Sequence, residues 1–256
     1  MLSTPTGAVL LAAMIGTSSA TAASWDSAAG VWRGDRALAA GDIPDPLWIF
    51  GYGSLCFKLD QSFESGVEAS FIGRVQGWGR YFAQASADHR GTPESPGLVA
   101  TLLNDPDLER LGKRAAGAGP PSSTIGVCYK IAPQHADAVL DALDFRERGG
   151  YTRQVIEVEP AVAQAGGGEK APVLALLYTA TPENPGFSHS ALLDVRGAAA
   201  TIKSAVGPSG ANIDYLRGLA EWLRTNQLTD EHVEALMQHV AELEGQAPGL
   251  AEDHDP

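Results

Sequence analysis

The chain has 256 residues, enough for one domain of ordinary size with additional segments around it. Hydrophobic residues make up 44% and charged residues 19%, which predicts a soluble globular protein. The formal net charge of −13 disfavours nucleic acid and anionic membranes as partners, although a small anionic substrate could still bind in a locally positive pocket.

Residues 1–46 are predicted to be an extension ahead of the domain. Met1–Ser24 has no charged side chain, Val9–Ile15 is a short apolar run, and Ala20–Ala22 resembles a cleavage site. No Lys or Arg precedes the run, and the run is too short to span a bilayer, which needs about 20 apolar residues. A targeting segment and a dispensable extension therefore both remain open, with the cytoplasm as the expected location. Ala28–Pro46, rich in Ala, Gly and Pro, is predicted to be a linker.

Seven short strands are predicted, because their residues are β-branched or aromatic and Gly, Pro or Asp bound them. The predicted strands are Leu47–Tyr52, Ala69–Val75, Arg80–Gln84, Leu98–Leu103, Ile125–Ile131, Tyr151–Val158 and Val173–Thr179. Asn104–Thr124, charged at first and then rich in Ala, Gly and Pro, is predicted to be a long, mobile surface loop.

A helix is predicted to begin at Pro133, with one buried face over Ala136–Leu143 and an end at Gly149-Gly150. Three later apolar stripes predict a helical C-terminal part packed on the core. The stripes are Leu192, Val195, Ala199 and Ile202; Ile213, Leu216, Ala220 and Leu223; and Val233, Leu236, Val240 and Leu243. Strands followed by gathered helices indicate a mixed α+β domain over residues 47–245, with an acidic tail over 246–256.

The two cysteines, Cys56 and Cys128, lie in or beside apolar, strand-like runs. Two thiols make neither a disulfide framework nor a CxxC metal site, so both are predicted to be small buried side chains. Reduced thiols are compatible with the cytosol or with an organelle interior.

Several motif-like patterns fail the requirements of the sites they resemble. Gly51–Gly53 begins like a dinucleotide fingerprint, but Cys56 occupies the third glycine position. Gly207–Ala211 approaches a GxSxG nucleophile elbow but ends in Ala, and no predicted strand precedes it. The histidines show no HExxH spacing, and His232 and His239 are predicted at a helix surface. No zinc site and no phosphate-binding loop is therefore predicted.

Two segments carry candidate chemistry. Phe50–Leu55 (FGYGSL) has the composition of an anion-binding turn, because two glycines let backbone N–H groups approach a ligand and Ser54 adds a hydroxyl. A tight strand-to-loop turn explains it equally well. Leu143–Tyr151 (LDFRERGGY) places four charged residues at a helix end, which a solvated helix terminus would also explain.

With two further blocks, these segments resemble the ChaC-like family, the glutathione-specific γ-glutamylcyclotransferases. The four blocks are FGYGSL; Asp88–Pro93 (DHRGTP) with Pro96-Gly97; LDFRERGGY; and Gly207–Gly210 (GPSG) with Asn212 and Tyr215-Leu216. Their order and spacing agree from about Trp48 to about Leu243. The resemblance implies a γ-glutamylcyclotransferase-like mixed sheet or barrel with packed helices.

The chain departs from the family pattern at three places. Cys56 and Phe57 stand where the family usually has an aliphatic residue and Trp, Asn104–Thr124 is an insertion, and everything before Leu47 lies outside the resemblance. These departures leave the acidic residue and the turn intact. They leave open the entrance to the site and the second half of the substrate.

The resemblance implies that glutathione is cleaved to 5-oxoproline and cysteinylglycine when its own α-amine attacks its γ-carbonyl, with no metal or cofactor. The family's catalytic glutamate corresponds to Glu147, which would take a proton from the α-ammonium and return one to the leaving amine. The negative end of a helix and burial disfavour a charged carboxylate there, whereas Arg146 and Arg148 favour it, so the sequence leaves its basicity open.

Substrate-binding residues follow from the resemblance and from their positions. The predicted set is Gly51, Tyr52, Gly53, Ser54, Leu55, Arg80, Gln84 and Tyr178. Backbone N–H groups of the turn would hold the γ-glutamyl group. Tyr178 corresponds to a family tyrosine but fits core packing equally well, and Arg80 and Gln84 are placed only by their strand. Asp88–Arg90 is expected to brace a loop.

Two other functions remain open on the same fold. The substrate could be another γ-glutamyl amino acid or amine, although the DHRG and LDFRE blocks favour glutathione. The chain could instead be a catalytically idle member that binds a protein through its acidic surface. Retention of Glu147 and of the turn argues against that second alternative. No oligomeric state is predicted.

Overall fold

The structure is a computed structural model that describes residues 24–26, 31–33, 43–117, 119–147, 151–161 and 171–245. Most of the predicted extension, the predicted tail over 246–256 and the predicted stop at Gly149-Gly150 therefore lie outside the described residues. Within the described part of the chain, no helix is long and apolar enough to cross a membrane.

The described chain forms strands, α-helices and two short 3-10 helices. The strands are β1 (Ser24–Asp26), β2 (Val31–Arg33), β3 (Trp48–Gly51), β4 (Val67–Gln76), β5 (Trp78–Ser86), β6 (Gly97–Asn104), β7 (Ser123–Ile131), β8 (Thr152–Pro160), β9 (Val173–Thr179), β10 (Val206–Gly207) and β11 (Gly210–Ala211). The helices are α1 (Gln61–Glu64), α2 (Asp105–Arg110), α3 (Ala136–Arg146), α4 (His189–Leu193), α5 (Val195–Ser204), α6 (Asn212–Thr225) and α7 (Glu231–Gly245). Ser54–Cys56 and Pro133–His135 are the 3-10 helices.

A closed barrel of five strands, in the order β3-β7-β4-β8-β9, forms the centre of the fold. β3 is antiparallel to β7 and parallel to β9, with Ile49 opposite Leu176. Ile49, Val158 and Leu176 are buried, because a barrel this small is filled by its own side chains. β3 is only four residues long, so the FGYGSL turn leaves the barrel directly at its rim.

The β5–β6 hairpin and the C-terminal helices extend the same core. Phe82 of β5, Leu102 of β6 and Leu216 and Leu219 of α6 are almost completely buried. The amide of Asn212 accepts a hydrogen bond from the Leu98 N–H at 2.6 Å and donates one to the Leu98 carbonyl at 2.8 Å. This pair of bonds fixes the start of α6 against β6.

The predicted mixed α+β arrangement is confirmed. Each of the seven predicted strands is present, with ends within two residues of those expected. The helix predicted at Pro133 begins there as a single 3-10 turn and continues as α3. The second and third C-terminal stripes lie on α6 and α7.

The interpretation of Asn104–Thr124 as one surface loop is wrong for Asn104–Arg110, its first third. Asn104 ends β6, and its side chain accepts a hydrogen bond from the Asp107 N–H at 2.8 Å. This N-cap begins α2, which also has Pro106 in its first turn and buries Leu108 completely. The charged residues that suggested a loop are those that favour a helix N-terminus.

The first C-terminal stripe is also wrong as one continuous helix. Asp194 has an extended backbone between α4 and α5, and its carboxylate accepts a hydrogen bond from the Gly197 N–H at 2.9 Å. Asp194 thus ends one helix and caps the next, so Leu192 lies on α4 and Ile202 on α5. The apolar spacing continues across the break because both helices cover the same core.

His232 was predicted at a helix surface, and this is wrong. It lies on α7 against the rings of Tyr81 and Phe82, with centroid distances of 5.0 and 6.1 Å. Its Nε2 accepts a hydrogen bond from the Phe82 N–H at 3.0 Å, which requires the neutral ring. Burial lowers the pKa of His232 to about 4.

We expect the partly buried His232 to make the protein sensitive to mild acid. Because the pKa is lowered on folding, the neutral ring contributes stability fully above its unfolded pKa of 6.5, and this contribution is lost as pH falls from there toward 4. Between pH 7.5 and pH 5 the free energy of unfolding should fall by about 2 kcal/mol through this group. Urea unfolding at both pH values should show this fall in the wild type and not in His232→Gln. An equal fall in both would contradict the assignment.

Candidate active site

The FGYGSL turn leaves β3 and continues into the 3-10 helix Ser54–Cys56. A Cβ on Gly53 would lie 2.6 Å from the hydroxyl oxygen of Tyr215, so only glycine allows this close approach. The Cys56 N–H donates to the Gly53 carbonyl at 3.0 Å. Among the described residues, the N–H groups of Ser54 and Leu55 have no backbone acceptor, as expected at the start of a helix. These two groups are therefore suited to bind a ligand oxygen.

Glu147 caps the C-terminal end of α3. Its N–H donates to the Leu143 carbonyl at 2.8 Å, and its side chain is 20% exposed. One carboxylate oxygen lies 3.4 Å from Nε of Arg146. The predicted acid–base residue is thus held at a helix end, partly shielded from water and next to one of the two predicted arginines. The second, Arg148, lies outside the described residues.

Arg146 connects the two segments that carry candidate chemistry. Its Nη2 donates a hydrogen bond to the hydroxyl of Ser54, 92 positions away in sequence. Its Nη1 lies 3.7 Å from the carboxylate of Asp60, which follows the turn. Because the same guanidinium faces Glu147, it brings the predicted acid and the predicted turn to one place.

Tyr52 and Tyr151 lie near Glu147, and the hydroxyl of Tyr215 lies against Gly53 of the turn. Burial raises the pKa of Tyr52 and of Tyr151 well above its usual value, and the negative charge of Glu147 raises both further. Burial raises the pKa of Tyr215 to about 12. All three hydroxyls therefore stay protonated at neutral pH and keep their hydrogen to donate. Tyr52 was predicted in the site; Tyr151 and Tyr215 lie in the matching blocks but received no role.

Tyr178 lies beside the last turn of α3. Its hydroxyl donates to the carboxylate of Asp144 at 2.7 Å, and Arg153 donates to the same carboxylate through Nε at 3.0 Å and through Nη2. The Tyr52 hydroxyl donates to the Tyr178 carbonyl at 2.8 Å. This network ties the helix that carries Glu147 to β8, to β9 and to the turn. Sequence reasoning missed Asp144 and Arg153, because their pairing depends on the barrel.

Arg80 and Gln84 take part in other contacts. Nη1 of Arg80 donates to Asp230 at 2.8 Å and Nη2 donates to the Ile125 carbonyl. Nε2 of Gln84 lies within 3.5 Å of the side-chain oxygen of Asn184. Both side chains are buried on β5. Their role in substrate binding stays a prediction.

The DHRG block braces the GPSG hairpin, as expected. Nη1 of Arg90 donates to the Ala211 carbonyl at 3.0 Å, and the Ser209 N–H donates to the His89 carbonyl at 2.9 Å. The guanidinium of Arg90 also lies over the ring of Tyr215, 5.7 Å from its centroid. The block therefore supports the tyrosine against which Gly53 packs.

Both cysteines are free and buried, as predicted. Burial raises the pKa of the Cys56 and Cys128 thiols to about 12, so neither is a thiolate at neutral pH. Within the described ranges, no group of three or more His, Cys, Asp or Glu side chains could hold a metal ion.

A groove of about 760 Å³ borders the C-terminal side of the turn. The two residues that depart from the family pattern, Cys56 and Phe57, line it together with Trp222 of α6. A Cβ on Gly218 would lie 2.6 Å from the Phe57 ring, so this ring packs directly on the α6 backbone. Glu147 does not line this groove, and the site is instead defined by the cluster around the Arg146–Ser54 bridge.

Known proteins resemble the chain over the region that contains this cluster. Glutathione-specific gamma-glutamylcyclotransferase 1 of Rattus norvegicus is 35% identical over 204 residues, covering 78% of this chain and 81% of that protein. The glutathione-specific gamma-glutamylcyclotransferase of Saccharomyces cerevisiae is 32% identical over 227 residues, covering 76% of this chain and 95% of that protein. A crystal structure of the yeast gamma-glutamyl cyclotransferase specific to glutathione matches with a TM-score of 0.66 and 31% identity, covering 77% of this chain and 96% of that one.

A family model described as ChaC-like protein matches residues 47–243. This range includes the turn, the DHRG block, the end of α3 and the GPSG hairpin. The matched range spans most of the chain, and the fold agrees with that of the yeast structure. The chain therefore belongs to the ChaC-like family.

Proposed function

We propose that the protein cleaves the γ-glutamyl bond of glutathione and releases 5-oxoproline and L-cysteinylglycine. The observation that carries this proposal is the Arg146 bridge, which holds Glu147 beside Ser54 of the turn. Relatives named for this specificity, at 32–35% identity, support glutathione as the substrate.

The reaction needs a substrate held in a bent conformation more than it needs a strong external nucleophile. The α-amine attacks the γ-carbonyl of the same molecule, forms the new C–N bond of a five-membered ring and expels the cysteinyl amine. In well-oriented intramolecular cases such alignment contributes about 7–11 kcal/mol to lowering the barrier. The protein must therefore bend the γ-glutamyl group and manage two proton transfers.

Glu147 manages both proton transfers. Its carboxylate accepts a proton from the α-ammonium, which makes the amine nucleophilic, and then gives a proton to the departing amine. After the attack the ring nitrogen loses a second proton as it becomes an amide, and this proton passes by the same route to the departing amine, which leaves as an ammonium. No proton is gained or lost overall. The N–H groups of Ser54 and Leu55, which have no backbone acceptor among the described residues, would donate to the oxygen that becomes negative on the γ-carbon. The remaining predicted residues of the turn, Gly51 to Gly53, allow the backbone to approach the substrate.

The domain assignment extends this proposal. Residues 47–245 are the proposed catalytic unit, since they contain all four matching blocks. Both cysteines are free, as is usual for a protein in a reducing compartment, which supports a cytoplasmic location.

The test is incubation of the purified full-length protein with glutathione at millimolar concentration, followed by mass spectrometry. We expect 5-oxoproline and cysteinylglycine in equal amounts, without added metal or cofactor. An equimolar mixture of glutathione and γ-glutamylalanine should be depleted first in glutathione. Preferential loss of γ-glutamylalanine would instead indicate a broader γ-glutamyl substrate class. Absence of 5-oxoproline with either substrate would favour the idle, protein-binding alternative.

A further inference from the structure

We propose that Arg146 binds the α-carboxylate of the γ-glutamyl group while Glu147 binds its α-ammonium, so that two consecutive residues recognise the zwitterionic end of the substrate. This inference rests on the proposed function and adds to it the group that selects a γ-glutamyl substrate from other amides.

The side chains of Arg146 and Glu147 lie close enough together to bind one amino-acid group. A carboxylate oxygen of Glu147 lies 3.4 Å from Nε of Arg146. In an α-amino acid the ammonium and the carboxylate are attached to one carbon. A substrate whose ammonium contacts Glu147 can therefore reach Arg146 with its carboxylate. The opposite charges on the protein match the opposite charges on the substrate in the same order.

Arg146 has hydrogen-bond donors that a ligand could use. A guanidinium has five N–H donors. Among the described residues, Arg146 makes one hydrogen bond, to the Ser54 hydroxyl. Its distances to Glu147 and to Asp60 are 3.4 and 3.7 Å, both longer than an ordinary hydrogen bond. The side chain is 29% exposed, so a ligand carboxylate can reach it.

Two other arginines among the described residues are already paired. Arg153 makes a two-pronged contact with Asp144, and Arg80 is held by Asp230 and is inaccessible to solvent. Arg146 is also the arginine in contact with the turn, through Ser54. In a chain with a net charge of −13, it supplies the local positive charge that an anionic substrate requires.

Two sets of donors in the site would bind two different parts of the substrate. The turn's N–H groups would serve the γ-carbonyl oxygen, while Arg146 and Ser54 serve the α-carboxylate. A planar guanidinium can bind a carboxylate through two parallel hydrogen bonds, which fixes orientation as well as position. The α-amine is then held in one direction, toward Glu147 and the γ-carbon.

The experiment crosses two enzymes with two substrates. The enzymes are the wild type and Arg146→Met, and the substrates are glutathione and γ-aminobutyryl-cysteinylglycine, which lacks only the α-carboxylate and closes to 2-pyrrolidinone. We expect Arg146→Met to lower kcat/KM about 10–100-fold with glutathione, the range for a lost charge-assisted hydrogen bond. With the decarboxylated substrate the two enzymes should differ little. If turnover of that substrate is too slow, its inhibition constant against glutathione gives the same comparison.

Four further measurements test whether Arg146 binds the α-carboxylate. Arg146→Lys retains the charge and should recover part of the lost kcat/KM, and circular dichroism reports whether each variant folds. Arg217→Met removes an exposed arginine paired with Glu244 and should match the wild type.

An equal loss with both substrates would overturn the proposal and make Arg146 a structural bridge. A loss that disappears with the glycine amide of glutathione would also overturn it, since Arg146 would then bind the other carboxylate. Failure of the wild type to form 5-oxoproline would refute the proposed function itself.

Discussion

Glu147→Gln should reduce kcat for glutathione about 10²–10⁴-fold, the range that a positioned general acid–base group contributes. Glutamine has nearly the same size and leaves the backbone bond to Leu143 in place, so α3 should keep its end. The amide cannot accept the proton of the α-ammonium. Initial rates of 5-oxoproline formation, measured by mass spectrometry from pH 6 to pH 9.5, give the comparison.

The pH dependence separates a lost base from a damaged fold. As pH rises, a growing fraction of the α-amine loses its proton to solvent, so the deficit of Glu147→Gln should narrow. Glu157→Gln is the matched control, since Glu157 is exposed on β8 and should behave as the wild type. If Glu147→Gln kept a rate near that of the wild type, Glu147 would not be the acid–base residue. A deficit constant over the whole pH range would argue for a role other than proton transfer.

The individual strands could be predicted from local pattern, because each is a short β-branched or aromatic run with Gly, Pro or Asp at its ends. β9 was predicted to the residue, at Val173–Thr179. The order of the strands in the barrel was not predicted, since it depends on pairings far apart in sequence, such as Ile49 with Leu176. Only the resemblance to a known family suggested a barrel.

The site was predictable where chemistry and position coincide in one segment. Glu147 and the turn stand in recognisable blocks, and the structure places both at one bridge. The parts that were missed are long-range contacts. Arg146 meets Ser54 across 92 positions, and Phe82 meets His232 across 150. The apolar period of a helix predicts that Val233 faces the core. It does not predict which strand packs against His232, the residue before it.

The buried ion pair of Arg80 and Asp230 should carry the largest stability effect. The guanidinium is inaccessible to solvent, and the carboxylate is 12% exposed. Asp230 also caps α7, because it accepts a hydrogen bond from the Val233 N–H at 3.1 Å. Asp230→Asn keeps a capping side chain and removes the charge. We expect it to lower the free energy of unfolding by about 3–5 kcal/mol, since an unpaired charge then stays buried. Urea unfolding at pH 7.5 measures this loss.

The double variant Arg80→Met/Asp230→Asn decides what Arg80 is for. Removing both charges should restore much of the lost stability, because replacing a buried ion pair by apolar volume is often nearly neutral. If Arg80 serves only the fold, the refolded double variant should turn over glutathione with kcat/KM close to that of the wild type. We expect this outcome, because both terminal nitrogens of Arg80 already have protein acceptors, Asp230 and the Ile125 carbonyl. A stable double variant with a much higher KM would show instead that Arg80 contacts the substrate, as its place on the strand first suggested.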